Sequence, residues 1–271
     1  MIRSSACVMC VALLSASLRG AASGEPNLDI AGIKIGMGMK EAMKALKTDN
    51  PKLTVAIDTH NLTGFDKPVQ PSVFASQNAS PDNDGERIEV LFTMPPNRET
   101  VWGVSRTYNY IPRNQPSLEN TLAALRSKYG PESIPADTDP RNRTKNMVWV
   151  YDASGKLLPR DQAMPLYMSC GGKLQSHFGN GDIASFNDIS RGAAAAKSDC
   201  DSIVLITASV QAGSITPGSS ELAVNNLIVQ MNDGRIYGKA IQATIAVTTG
   251  TARANENKAA AEVNKRGGPK L

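Results

Sequence analysis

The stretch VSRTYNYIPRNQPSLENTLAALRSKYGP, residues 104–131, changes its hydrophobic period midway. Val104, Arg106, Tyr108 and Tyr110 alternate with small polar residues, the period of two that belongs to a strand. From Ser117 the period becomes helical, and Leu118, Leu122, Leu125 and Tyr129 share one face. Ser117 suits the N-cap, where its hydroxyl accepts from an otherwise unpaired backbone N–H. Gly130-Pro131 ends the helix, because glycine accepts a left-handed conformation and proline cannot extend the hydrogen-bond ladder. A strand delivering the chain into an amphipathic helix, with further strands on either side, predicts an α+β fold. The expectation is an antiparallel sheet packed against amphipathic helices.

Toward the N-terminus, Gly36 and Gly38 punctuate a short extended segment carrying Ile30, Ile33 and Ile35. The spacing of Met39, Met43 and Leu46 predicts a helix over 39–47, stopped by Asn50-Pro51. Strands are expected at 53–57, 87–94 and 101–110, the last two joined across Pro95-Pro96-Asn97. Between the first two, residues 61–85 are rich in Pro, Asn, Ser and Asp and read as a long connection. Toward the C-terminus, strands are expected at 147–151, 166–170, 202–210 and 222–231, with turns at 153–156 and at Asp233-Gly234. The Ala-rich stretch 235–265 reads as one or two helices with a break near Gly250, ahead of a frayed basic end at 266–271.

Residues 39–48 align without gaps on 118–127. Ala45 and Leu46 match Ala124 and Leu125, and Met39, Met43, Lys47 and Thr48 match their counterparts in type. The alignment suits a degenerate tandem repeat of helix plus strands, although two unrelated amphipathic helices also align this well. The organisation expected is a signal at 1–23, a first α+β module at 24–131, a strand-rich second module at 132–250 in the same globular unit, and a basic tail at 251–271.

Residues 1–23 have the three parts of a cleavable secretory signal. Arg3 is followed by an apolar run at 6–18 and then by Gly20, Ala21, Ala22 and Ser23. That run falls short of the roughly 20 apolar residues of a membrane-spanning helix, so no span is expected after cleavage. Cleavage would remove Arg3 and Arg19 and no acid, taking 29 basic residues to 27 against 25 acidic ones. A nearly neutral chain argues against a nucleic-acid partner, which calls for a basic face. Cys7 and Cys10 would leave with the signal, and Cys170 and Cys200 would remain. In an oxidising compartment, periplasmic or extracellular, that pair reads as one disulfide stapling a Gly-, Ser-, Asn- and Ala-rich loop.

The run Ile33-Lys34-Ile35-Gly36-Met37, leading directly into a helix, resembles the opening of small exported α/β modules of bacterial envelopes. The outer-membrane assembly lipoprotein BamE and the tandem-repeat β-lactamase inhibitor protein use such a module. The helix end Lys128-Tyr129-Gly130-Pro131 is similar to those of many exported bacterial proteins. The resemblance covers about 30 residues. This chain departs from it in having no lipobox cysteine and in its length and cysteine spacing. It implies helices layered on an antiparallel sheet and a role in binding proteins, and no functional residue transfers across it.

Catalytic chemistry finds few footholds. His60 and His177 are the two histidines, neither in the context of a nucleophile–base pair, and there is no G-x-S-x-G elbow. His177 reads as an exposed loop residue. Asp82, Asp84 and Gly85 mimic part of a calcium loop, but Leu91 stands where the bidentate Glu belongs, and a turn is the plainer reading. Gly36-Met37-Gly38 and Gly171-Gly172-Lys173 are incomplete phosphate loops. Met37, Met39 and Met43 read as core packing rather than a soft binding groove. No cofactor or metal is therefore expected. The function expected is an exported, non-catalytic protein that binds another macromolecule, a protein in the first instance. Loops 61–85 and 171–199 and the basic tail are its expected contact surfaces. The alternative is an envelope hydrolase that uses carboxylates or a metal.

Overall fold

The computed structural model describes residues 28–136, 143–179, 199–214 and 221–265. The signal reading at 1–23 and the basic end at 266–271 lie outside the described residues. The chain begins with a small hairpin, β1 (Asp29–Ile30) and β2 (Ile33–Lys34), and then α1 (Met39–Asp49). Four strands follow: β3 (Thr54–His60), β4 (Val69–Gln77), β5 (Gly85–Phe92) and β6 (Val101–Asn109). The second half runs α2 (Leu118–Tyr129), β7 (Thr144–Tyr151), α3 (Arg160–Gln175), β8 (Val204–Ser214), β9 (Leu222–Asp233) and α4 (Gly234–Lys265).

β3 to β9 form one antiparallel sheet in the order β3-β4-β5-β6-β9-β8-β7. Each half of the chain thus runs from an outer edge to the centre, where the last strands of the two halves, β6 and β9, pair. α1 and α2 head the two halves and lie on the same face. Ala42 and Leu46 of α1 and Leu125 and Tyr129 of α2 join one core with Val90, Val104, Met231, Ile206 and Trp149 of the sheet. On the other face, Ala163, Cys170 and Leu174 of α3 pack on Val148, Val150 and Leu205. Ile236 and Tyr237 of α4 meet Leu91, Trp102 and Phe178 on that face as well. The fold is α+β, as the alternating periods predict.

The best-read helix ends as expected. Ser117 accepts from the Asn120 N–H at 3.2 Å, and Gly130 takes φ +82° at the C-terminus of α2. Hydroxyls then fix where α2 stops. Tyr129 donates to the Asp29 carbonyl at 3.0 Å, and Tyr151 donates to the Tyr129 carbonyl at 2.8 Å.

Four local expectations are corrected. Residues 61–85 contain β4, whose Val73 and Ala75 are fully buried, so much of this stretch is sheet rather than loop. Its polar composition and Pro71 hide the alternation. Pro71 lies where the β3 pairing shifts between Asp58 and His60 and beyond the first β5 pair at Ser72, the setting in which a strand tolerates proline. Residues 166–170 belong to α3, not to a strand, and Pro165 is inside that helix. Asp233 and Gly234 form no separate turn: Asp233 ends β9, and its carboxylate accepts from the Arg235 and Ile236 N–H groups at the start of α4. α4 passes through Gly250 without a break.

Candidate functional site

Cys170 and Cys200 form a disulfide with Cα atoms 5.4 Å apart, both side chains buried. The bridge does not tie two strands, as a strand at 166–170 would have required. It joins α3 to the 3-10 turn Asp199–Ser202 in front of β8. Of the loop it closes, residues 171–179 finish α3 and the turn after it, and 180–198 lie outside the described residues.

The histidines are placed apart. His60 Nε2 lies 2.8 Å from Asp58 Oδ2, and the Ser72 hydroxyl donates to the same oxygen at 3.4 Å. Imidazole and hydroxyl both address the carboxylate, so this is not the Ser–His–Asp order that lets a base take the serine proton. His177 is buried rather than exposed. Its ring meets Trp102 edge-on at 5.1 Å and Tyr237 at 4.7 Å, because α3 and α4 close over this end of the sheet. Asp84 accepts from the Ile111 N–H at 2.8 Å and from the Asn114 side chain at 3.2 Å, which makes 82–85 a structural turn. Gly171, Gly172 and Lys173 lie inside α3. Met37, Met39 and Met43 pack against the main core. Among the described residues no group of three or more His, Cys, Asp or Glu is placed to hold a metal, and no helix is long and apolar enough to cross a membrane.

A cleft of about 350 Å³ lies on the helical face, over the junction of β6 and β9. Leu227 and Val229 of β9 are at its floor, Ile30 and Ala31 of the first hairpin border it, and Asn120, Ala124 and Lys128 of α2 form one wall. Arg106, Tyr108 and Tyr110 form the other, brought to one face by the strand period. The result is mostly apolar with a few directed polar groups, as ligand and partner sites tend to be.

The three wall residues form a ladder. The Arg106 guanidinium lies 4.6 Å from the centroid of the Tyr108 ring, and Tyr108 stacks on Tyr110 at 5.5 Å with 15° between planes. Arg106 is held from behind: its Nε donates to Glu86 at 2.7 Å and its Nη2 to Asp49 at 2.6 Å. Asn50 donates to the other oxygen of Glu86 at 2.8 Å, so the C-terminus of α1 is bolted to β5 and β6 through buried charge. Across the cleft Lys128 donates to Asp29 at 3.0 Å and lies 5.6 Å from the Tyr129 ring.

Burial pushes the Tyr108 phenol above its ordinary pKa; Arg106 opposes the shift, and Glu86 and Asp49 add to it. Burial also raises Tyr110, with Asp84 contributing next. Burial pulls Arg106 down, but Tyr108, Glu86 and Asp49 outweigh it and hold the guanidinium above its ordinary value. At neutral pH the cleft wall therefore presents the neutral phenols of Tyr108 and Tyr110 and the fixed cation of Arg106.

No cleft residue stands out in the sequence as a site. One signal was available: three of the six tyrosines, at 108, 110 and 129, fall within the quoted 28-residue stretch of a chain poor in aromatics. Comparison with protein-family models, with curated proteins and with solved structures finds no match to this chain.

Proposed function

We propose that this is an exported, non-catalytic protein that binds another protein through the cleft between α2 and strands β6 and β9. The observation that carries the reading is the Arg106–Tyr108–Tyr110 ladder on the wall of an apolar cleft. Tyrosine and arginine are the side chains over-represented among the residues that dominate binding energy at protein interfaces. Stacking and the carboxylates behind Arg106 hold the ladder in place before a partner arrives, which lowers the entropic cost of binding. Export is supported by the signal-like start at 1–23 and by the Cys170–Cys200 disulfide, since such bonds persist in oxidising compartments.

The test is site-specific photocrosslinking in the native host. A photoreactive residue at Asn120, on the cleft wall, is expected to give discrete protein adducts on the exported chain, and one at exposed Ser154 is expected to give none. Adducts from Ser154 with none from Asn120 would refute the cleft as the binding surface.

A further inference from the structure

We propose that β3 is a docking edge for a second copy of this chain, the two β3 strands pairing antiparallel so that the two sheets join into one. This edge is three strands from β6, and the inference does not depend on the cleft. The two edges of the sheet differ. β7 is guarded: Ile134 and Val148 exchange backbone hydrogen bonds of 3.0 and 3.2 Å, and Leu158 donates to the Val150 carbonyl at 2.8 Å. The Ser133 hydroxyl accepts from the Val150 N–H at 3.1 Å. β3 pairs with β4 on one side, and among the described residues nothing bonds the backbone of 54–58 on the other. Natural edge strands discourage pairing with lysine, proline or a cover. The strand TVAIDTH has neither lysine nor proline, its Asp58 lies 2.8 Å from His60, and its Ile57 is 44% exposed.

The strand is complementary to itself. Paired about a twofold axis at Ala56, Val55 of each copy faces Ile57 of the other on one face of the sheet, and Thr54 faces Asp58 on the other face. Apolar meets apolar, hydroxyl meets carboxylate, and no like charges oppose. The exposed end of α4 lies on the same side of the molecule. Tyr237, near the start of α4, packs on Trp102 of β6, and Thr244 donates to the Pro95 carbonyl at 2.7 Å. Ile245 packs with Leu62 and Val69 at the β3–β4 connection, and Thr251 lies against Gly64 just past β3. The helix thus runs from the centre of the sheet toward the β3 edge. Residues 252–263 beyond that point are all exposed, an overhang of about 18 Å at 1.5 Å per residue. Among the described residues the exposed large apolar side chains are Ile57, Met168 and Val263, so one is on the edge and one on the overhang. Five paired residues are a small contact beside the roughly 1,200–2,000 Å² that stable interfaces bury. An overhang crossing the seam from each copy enlarges it twice over, by symmetry.

Sedimentation equilibrium of the purified chain over a concentration series tests this, with the fold of each variant checked by circular dichroism. The native chain is expected to dimerise. Ile57→Lys places a charge at both symmetric contacts and is expected to weaken the dimer at least about tenfold. Val263→Asp, on the overhang, is expected to weaken it less, and Ser154→Lys, in the exposed turn after β7, to leave it unchanged. The amides of residues 55–57 are expected to exchange slowly in the native dimer and fast in Ile57→Lys. A chain that stays monomeric, or a dimer indifferent to Ile57→Lys, would overturn the proposal. Slow exchange of those amides in a monomer would give the edge to a segment of the chain itself and overturn it too. A dimer sensitive to Ile57→Lys but not to Val263→Asp would keep the strand pairing and overturn the crossing of α4.

Discussion

The guanidinium of Arg106 lies over the ring of Tyr108 and at the same time bonds Glu86, a carboxylate only 5% exposed. One side chain therefore both builds the cleft wall and neutralises a buried charge. Truncating it leaves Glu86 with the Asn50 amide and no cation. Arg106→Leu is expected to destabilise the fold by about 3 kcal/mol, the usual consequence of breaking a buried pair from one side. Urea denaturation measures this, and a loss under about 1 kcal/mol would mean that the network behaves as an exposed one.

The disulfide closes a separation of 30 residues between α3 and the turn before β8. Constraining the unfolded chain over that length is worth about 3–4 kcal/mol on the chain-entropy model. The double variant Cys170→Ser, Cys200→Ser is expected to lose that much in denaturant titration. The native chain is expected to lose it on full reduction, and an unchanged midpoint would assign the staple no role.

Two glycines of α4 have opposite roles. A Cβ at Gly234 would collide with the Cys200 carbonyl, whereas one at Gly250 meets nothing within 4 Å. Gly234→Ala is expected to cost about 3 kcal/mol because backbone must shift. Gly250→Ala, in an exposed helix interior, is expected to gain about 0.5–1 kcal/mol. A loss at Gly250 would argue for the break that its position in the sequence suggests.

Burial raises the phenol of Tyr151 from 10.0 to about 12, and burial also raises those of Tyr108 and Tyr129. Protons are therefore held more tightly in the folded state than in the unfolded one. The stability they contribute is fully present below pH 10 and falls as pH rises toward 12. Denaturation midpoints should drop across that window, with tyrosinate absorbance at about 295 nm lagging until unfolding. Full tyrosine titration near pH 10 in a still-folded protein would contradict the buried hydroxyl geometry.

Local signals were legible wherever one residue decides a boundary. Ser117 and Gly130 delimit α2 because cap and terminator are chemical requirements of the backbone. Misreadings came where tertiary contacts override local preference. Pro71 is accommodated by a shift in strand pairing, Pro165 and two glycines are carried within a helix packed on β7 and β8, and Gly250 leaves α4 intact. His177 reads as exposed because nothing local reveals that Trp102, 75 residues earlier, packs against it. The Cys170–Cys200 pair was readable once Cys7 and Cys10 were assigned to the signal, but the elements it joins were not. The cleft was half visible: the period of β6 aligns Arg106, Tyr108 and Tyr110, but its floor comes from β9 and its wall from α2. That juxtaposition depends on the central β6–β9 pairing, a contact between the two halves of the chain.

The cleft itself can be closed without touching the core. Ala124 is exposed on α2 and borders the cleft, whereas its neighbour Ala123 is exposed but does not line it. The decisive measurement is the affinity of a crosslinked partner for Ala124→Trp and Ala123→Trp, both checked for unchanged thermal stability. If the cleft is the binding surface, Ala124→Trp weakens binding at least about tenfold, a loss of 1.4 kcal/mol or more, and Ala123→Trp leaves it intact. Equal affinity of both variants for the partner would contradict it.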